Sequence, residues 1–197
     1  MALGGVYVAK KDFKSAAAIY DRAETAITAP LRSHWNIFYQ RGIAYEQLDI
    51  WPKAEESFRK ALKLYPDQPN VLNYLGYSYV DQNKNLDEAL AMIRKAVELR
   101  PDDGYIVDSL GWAYYRLGRF DEAVTELERA IKLRPEDATI NDHLGDAYWQ
   151  VGRRLEARFQ WQHAIDGKPE EADLAKIQAK LKAELPLVAE ANAGKKG

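Results

Sequence analysis

Small and apolar positions return along this chain at a nearly fixed spacing, and that spacing predicts pairs of helices. Gly42, Gly76, Gly111 and Gly145 lie 34, 35 and 34 residues apart. A tyrosine stands three residues after each, at Tyr45, Tyr79, Tyr114 and Tyr148. Ala54, Ala89, Ala123 and Ala157 come next, then Ala61, Ala96, Ala130 and Ala164, and each unit closes on Pro66, Pro101, Pro135 or Pro169. A chance match to one unit would not propagate in register through four, so the chain is a tandem repeat. The 35-residue step also separates Ala54 from Ala89, which puts the extra residue in a turn between Val80 and Glu88.

Each marker has a physical reading. Glycine and alanine are expected where the two helices of a hairpin come closest, because a larger side chain would push them apart. The tyrosines and the bulky residues Phe58, Ile93, Leu127 and Trp161 are expected to fill the seam between neighbouring hairpins. Each proline stops the second helix. Asp87-Glu88 and Asp121-Glu122 place acids in the first turn of second helices, which suits the helix dipole. A weaker unit comes first, with Leu3-Gly4, Tyr7, Ala16, Tyr20 and Ala23, joined to the next by a linker from Ala26 to Ser33. After Pro169, Leu174, Ile177, Leu181 and Leu185 at helical spacing predict a capping helix over 170–185. Pro186 ends it, and 186–197 is expected to be a frayed tail.

The run Leu110-Gly111-Trp112-Ala113-Tyr114, with Ala123, Leu127, Ala130 and Pro135, resembles the tetratricopeptide repeat. The resemblance covers four units over 34–169. It implies an all-α fold, a right-handed α-α superhelix of four full hairpins, a partial hairpin within 1–33 and the cap, as a single solenoid over 1–185. One hairpin cannot bury both of its faces, so such units stack. The resemblance further implies that the first helix of every hairpin lines a concave groove that takes a protein or peptide.

Residues three before, one after and four after each glycine share a helix face. The first set is Tyr39, Asn73, Asp108 and Asp142; the second is Ile43, Tyr77, Trp112 and Asp146; the third is Glu46, Val80, Tyr115 and Trp149. From these, Tyr39, Asn73, Tyr77, Asp108, Trp112, Tyr115, Asp142, Asp146 and Trp149 are the candidate partner-binding residues. Aromatics offer large, rigid contact area, and asparagine can hydrogen-bond the backbone of an extended segment. Asp142 and Asp146 would make one end acidic and favour a partner with basic residues. For any one of these residues the alternative is packing between adjacent first helices. Relatives that grip a terminal carboxylate use lysine, arginine and asparagine at such positions, which is not the pattern here.

Composition narrows the classes. Hydrophobic residues make up 47% and charged residues 29%, as in ordinary folded domains. A formal net charge of -2, and basic pairs such as Arg153-Arg154 and Lys195-Lys196 that are too sparse to form a patch, argue against a nucleic-acid face. No apolar run is long enough to insert in a membrane. With no cysteine there is neither disulfide nor thiolate metal site, and no cofactor motif is present. Ser109, His143, Asp142 and Asp146 suggest a catalytic set on paper. Matching sites on stacked helices are roughly 8–10 Å apart, so no tuned serine–histidine bond and no enzyme activity are expected. His143 with Asp146 offers two ligands from one helix, short of a metal site.

Met1 to Lys11 lacks the layout of a secretory signal and reads as the latter part of a helix. The chain is therefore expected to be a piece of a longer protein, with its compartment open between periplasm and cytoplasm. The repeats Val71–Tyr77, Ile106–Ala113 and Asp142–Trp149, with Gly152–Ala157, are similar to the C-terminal repeats of bacterial cell-envelope adaptors. That likeness implies a periplasmic scaffold for a protease or cell-wall hydrolases. The rival reading is a self-assembling scaffold, in which Val6, Val8 and Ile19 of the incomplete first hairpin dock on another copy.

Overall fold

The structure, a computed structural model, describes residues 2–182 and is helical throughout, with no strand among the described residues. Eleven α-helices follow in order: α1 (Ala2–Ala9), α2 (Phe13–Ala26), α3 (Trp35–Glu46), α4 (Trp51–Leu64), α5 (Pro69–Asp81), α6 (Leu86–Leu99), α7 (Gly104–Arg116), α8 (Phe120–Leu133), α9 (Ala138–Gln150), α10 (Arg154–Asp166) and α11 (Glu171–Lys182). From α3 to α10 they pair into four hairpins; α1 and α2 form the partial one, and α11 follows the last. Leu185, Pro186 and the tail lie outside the described residues. Packing groups the chain into two compact units, divided within α5 between Leu75 and Gly76.

The turns explain why the period is so regular. In each hairpin the residue seven after the marker glycine is left-handed: Lys11, Asp49, Asn83, Gly118 and Gly152. The next backbone N–H (Asp12, Ile50, Lys84, Arg119, Arg153) donates to the carbonyl of Tyr7, Tyr45, Tyr79, Tyr114 or Tyr148 at 2.8–2.9 Å. The marker tyrosine thus closes its own helix through its backbone, in the manner of a Schellman cap. The long turn carries a second left-handed residue, Asn85 at φ 46°, just ahead of α6. That places the extra residue within the predicted interval. After Pro66, Pro101 and Pro135 an acceptor side chain starts the next helix: Gln68 takes the Asn70 N–H, Asp103 that of Tyr105, and Asp137 those of Thr139 and Ile140.

Phe58, Ile93, Leu127 and Trp161 are fully buried, and each lies across the marker glycine of its own hairpin. Phe58 also packs on Tyr74 of the next hairpin, with ring centroids 5.2 Å apart. A Cβ at Gly42, Gly76, Gly111 or Gly145 would strike that side chain first. The missing side chain is therefore the socket for a knob on the paired helix. The tyrosines span hairpins. Tyr45 donates to Asp21 of α2 at 2.6 Å, Tyr114 accepts from Arg94 of α6 at 2.9 Å, and Tyr148 donates to Glu128 of α8 at 2.8 Å.

The first unit has a polar joint that the repeat pattern does not contain. Arg41 stands where the other repeats have Leu75, Leu110 and Leu144. It is buried and donates to Asp21 (2.8 Å) and Ser57 (2.6 Å), with Glu24 at 3.2 Å. Burial works against the Asp21 carboxylate, yet the Tyr45 hydroxyl and Arg41 hold it below the usual carboxylate range. An ion-pair network therefore docks α2 on α3, where the later repeats use leucine.

Two stability measurements check this account. In Gly145→Ala the new Cβ would meet the Trp161 ring at 2.5 Å and the Ala157 carbonyl at 3.1 Å. Neither can yield freely, so denaturant unfolding should show a loss of about 1–3 kcal/mol. At Gly5 a Cβ meets nothing within 4 Å, and Gly5→Ala should hold stability or raise it by up to about 1 kcal/mol. Arg41→Met should lose roughly 2–3 kcal/mol, because two partly buried carboxylates lose their donor.

Candidate functional site

In the first unit, Tyr39 is half-buried in an aromatic cluster. Its ring is 5.9 Å from Trp35, 6.2 Å from Phe58 and 5.8 Å, edge-on, from Tyr74. Burial, then the charge of Glu46, pushes its phenol up to about 12, so it stays neutral. Asn73 is half-buried, and its side-chain carbonyl has no hydrogen-bond donor.

The second unit brings most of the predicted row together. Asp108 and His143 are both buried, and His143 Nδ1 sits 2.9 Å from one Asp108 carboxylate oxygen and 3.2 Å from the other. The imidazole stacks on Trp112 with centroids 4.1 Å apart and planes 13° from parallel. Trp112 in turn stacks on Tyr115 at 4.8 Å and 7°. Asp108, Trp112 and Tyr115 lie on α7 and His143 on α9, so the stack pins two adjacent first helices together. Spacing from the marker glycines missed the Asp108–His143 pair, because Asp108 is three residues before its glycine and His143 two. The signal was the one ionisable pair at near-matching sites of adjacent repeats.

Asp142 and Asp146 are not open to solvent as a free acidic end. Lys180 of α11 donates to both oxygens of Asp142, at 2.7 and 2.9 Å, and to Asp146 at 2.8 Å. Asp146 also accepts the Trp161 indole N–H at 3.0 Å. Burial and the like charge of Asp142 hold the Asp146 carboxyl above the usual range, against the help of Lys180. Trp149 is buried, 5.4 Å from Trp161. Tyr77 and Tyr115 remain half-buried. Burial pushes both phenols up to about 12, Tyr77 with help from Asp108 and Tyr115 with help from Asp146. Through Lys180, α11 lies against the first-helix side of α9.

The Ser109 hydroxyl turns back along α7 to the Tyr105 carbonyl at 2.9 Å and makes no contact with His143. Among the described residues no three His, Asp or Glu side chains gather closely enough to hold a metal ion. What the site offers is a row of neutral aromatic surface beside carboxylates that already hold internal cations.

Two family profiles match the chain, one described as Tetratricopeptide repeat over 39–104 and one as TPR repeat over 111–152, together more than half of it. The chain is a tetratricopeptide-repeat protein. Solved structures of similar fold include TTC0263, a thermophilic TPR protein of Thermus thermophilus. It is 20% identical with a TM-score of 0.74 over 93% of this chain and 97% of that one. MamA labelled AMB-1 is 24% identical with a TM-score of 0.67, covering 84% and 95%. MamA 41-end from Desulfovibrio magneticus RS-1 is 19% identical with a TM-score of 0.71, covering 86% and 93%. These likenesses are of fold.

The repeat protein's buried histidine yields a pH test. Burial opposes a charged His143, but Asp108 first, then Asp142 and Asp146, outweigh it and lift the ring above its ordinary 6.5. A histidine more basic when folded than unfolded adds stability that is whole below 6.5 and is lost as pH rises through its folded value. The melting temperature should therefore fall as pH rises from about 6.5, and His143→Gln should flatten that slope.

Proposed function

We propose that this chain is a non-enzymatic docking scaffold that binds a segment of a partner protein on the first-helix face of its second unit. The observation that carries the reading is the row Tyr77, Trp112 and Tyr115, half-buried aromatics whose edges stay accessible beside the acidic pair Asp142 and Asp146. Stacking has already fixed two of these rings, so a partner meets them with little further entropy to lose. Trp149 is buried against Trp161 and supports this face from behind. Tyr39 packs likewise within the aromatic cluster of the first unit. Tetratricopeptide repeats serve generally in protein–protein contact, which agrees with this role. The likeness to cell-envelope adaptors selects a bacterial protease or cell-wall hydrolase as the partner, and a periplasmic setting.

A second reading rests on α1, where Leu3 is 53% and Val6 48% exposed on the partial hairpin. Such an apolar face would join copies of the chain, and light scattering over a concentration range tells the two apart: a constant monomer mass removes self-assembly.

The docking reading is tested by capture from bacterial envelope extract. Tyr77→Ala and Tyr115→Ala should each weaken capture by roughly 30-fold, the loss expected at an aromatic hot spot, with the helical circular dichroism unchanged. Capture that survives the double variant sinks the proposal.

A further inference from the structure

The helix α11 is held to the second unit by unusually little. Of its side chains only Ile177 is fully buried, Leu174, Lys180 and Leu181 are half-buried, and the remainder are exposed. By contrast, α9 buries eight residues. Beyond Ile177, the ties are the Lys180 ammonium on Asp142 and Asp146, and Arg158 donating to the Leu181 carbonyl at 2.8 Å. Its connection to α10 is short and turned, with Lys168 left-handed at φ 56° ahead of Pro169.

What Lys180 does there is specific. Its ammonium has three donors, and four carboxylate oxygens lie within 2.9 Å, two on Asp142 and two on Asp146. Both aspartates stand at first-helix positions on α9, the helix whose His143 stacks on Trp112 of the aromatic row. The helix therefore lies on the surface that the docking reading assigns to a partner.

We propose that α11 is an internal occupant of the docking face, a displaceable strap, and that the partner is an amphipathic helix presenting the same face. That face is Leu174, Ile177, Lys180 and Leu181: aliphatic residues one turn apart, then a cation one turn on, beside a further aliphatic. The acidic pair reads the cation and excludes an acidic helix; a tethered α11, acting at high effective concentration, sets the threshold a partner must pass. This inference rests on the docking reading of the same face.

The probe is a fluorescein-labelled peptide of residues 170–182, titrated by anisotropy into the full chain and into full-chain Lys180→Glu. In the variant the strap meets its own repulsion and leaves, so the peptide should bind at least about tenfold more tightly than to the unaltered chain. A peptide carrying glutamate at position 180 in place of lysine should bind neither. Equal affinity for both chains, or indifference to the peptide's charge, overturns the proposal. Should Lys180→Glu fail to fold by circular dichroism, Lys180→Met takes its place. In the unaltered chain, excess peptide should then speed hydrogen exchange in 174–182 at least about tenfold while α9 stays protected. No acceleration overturns the strap.

The two readings fail separately. A strap that yields to peptide while envelope capture ignores Tyr77 and Tyr115 removes the docking reading alone. Capture that needs those residues while 174–182 never opens removes the strap alone. An unaltered chain that is dimeric, and becomes monomeric on adding peptide, means a second copy supplies the helix and overturns the partner assignment.

Discussion

Helix-to-helix distance within a hairpin is set by a missing side chain. At Gly42, Gly76, Gly111 and Gly145 the first helix offers bare backbone, and Phe58, Ile93, Leu127 or Trp161 of the second helix is seated on it. Because these knobs are fully buried and packed against backbone, the approach is rigid, and every other feature inherits its position from it. The tyrosine three residues on can then close the turn with its carbonyl and reach the preceding hairpin with its hydroxyl. One contact fixes the hairpin, the next residue but two fixes the joint, and in the second unit the remaining face of the first helices carries the aromatic and charged residues that tie them to each other and to α11.

Unit identity shows in how each joint is filled. The second unit joins α7 to α9 through the Asp108–His143 pair and the ring stack above it, a polar and aromatic joint. The first unit joins α2 to α3 through Arg41 and its carboxylates. Both replace generic apolar packing by directional contacts that misregister only at a high cost, since a buried charge without its partner is expensive. The same residues that suggest a catalytic set are thereby committed to structure: Asp108 holds His143 Nδ1, Trp112 covers the ring, and Ser109 serves its own helix.

The all-helical hairpins were legible from the sequence because their cause is local and repeated: glycine, alanine, tyrosine and proline at a fixed interval. The turn insertion was legible for the same reason. The seating of Phe58, Ile93, Leu127 and Trp161 on the glycines of their own hairpins was not read, since periodicity gives the face of a helix and not every neighbour it meets. Arg41 was visible as an exception to leucine at its site, but its partners Asp21 and Glu24 belong to the weakest repeat, where the markers fade. Lys180 had no local signal. Its carboxylates are 34 and 38 residues away, and α11 lacks the glycine that would give its register.

That last contact alters the electrostatics of the whole face. Three aspartates along first helices suggest long-range attraction for any basic chain, but in the folded protein Asp108 is paired with His143, and Asp142 and Asp146 share Lys180. The field a partner meets from a distance is weak, as the net charge of -2 also implies. Under the proposed docking, recognition would be settled at contact range, where a partner's cation would have to take the place of Lys180. Exchange of like for like gains little from charge alone, so in that proposal the aromatic row would supply the affinity and the aspartates the selection, because an acidic or neutral competitor would leave the carboxylates unpaired.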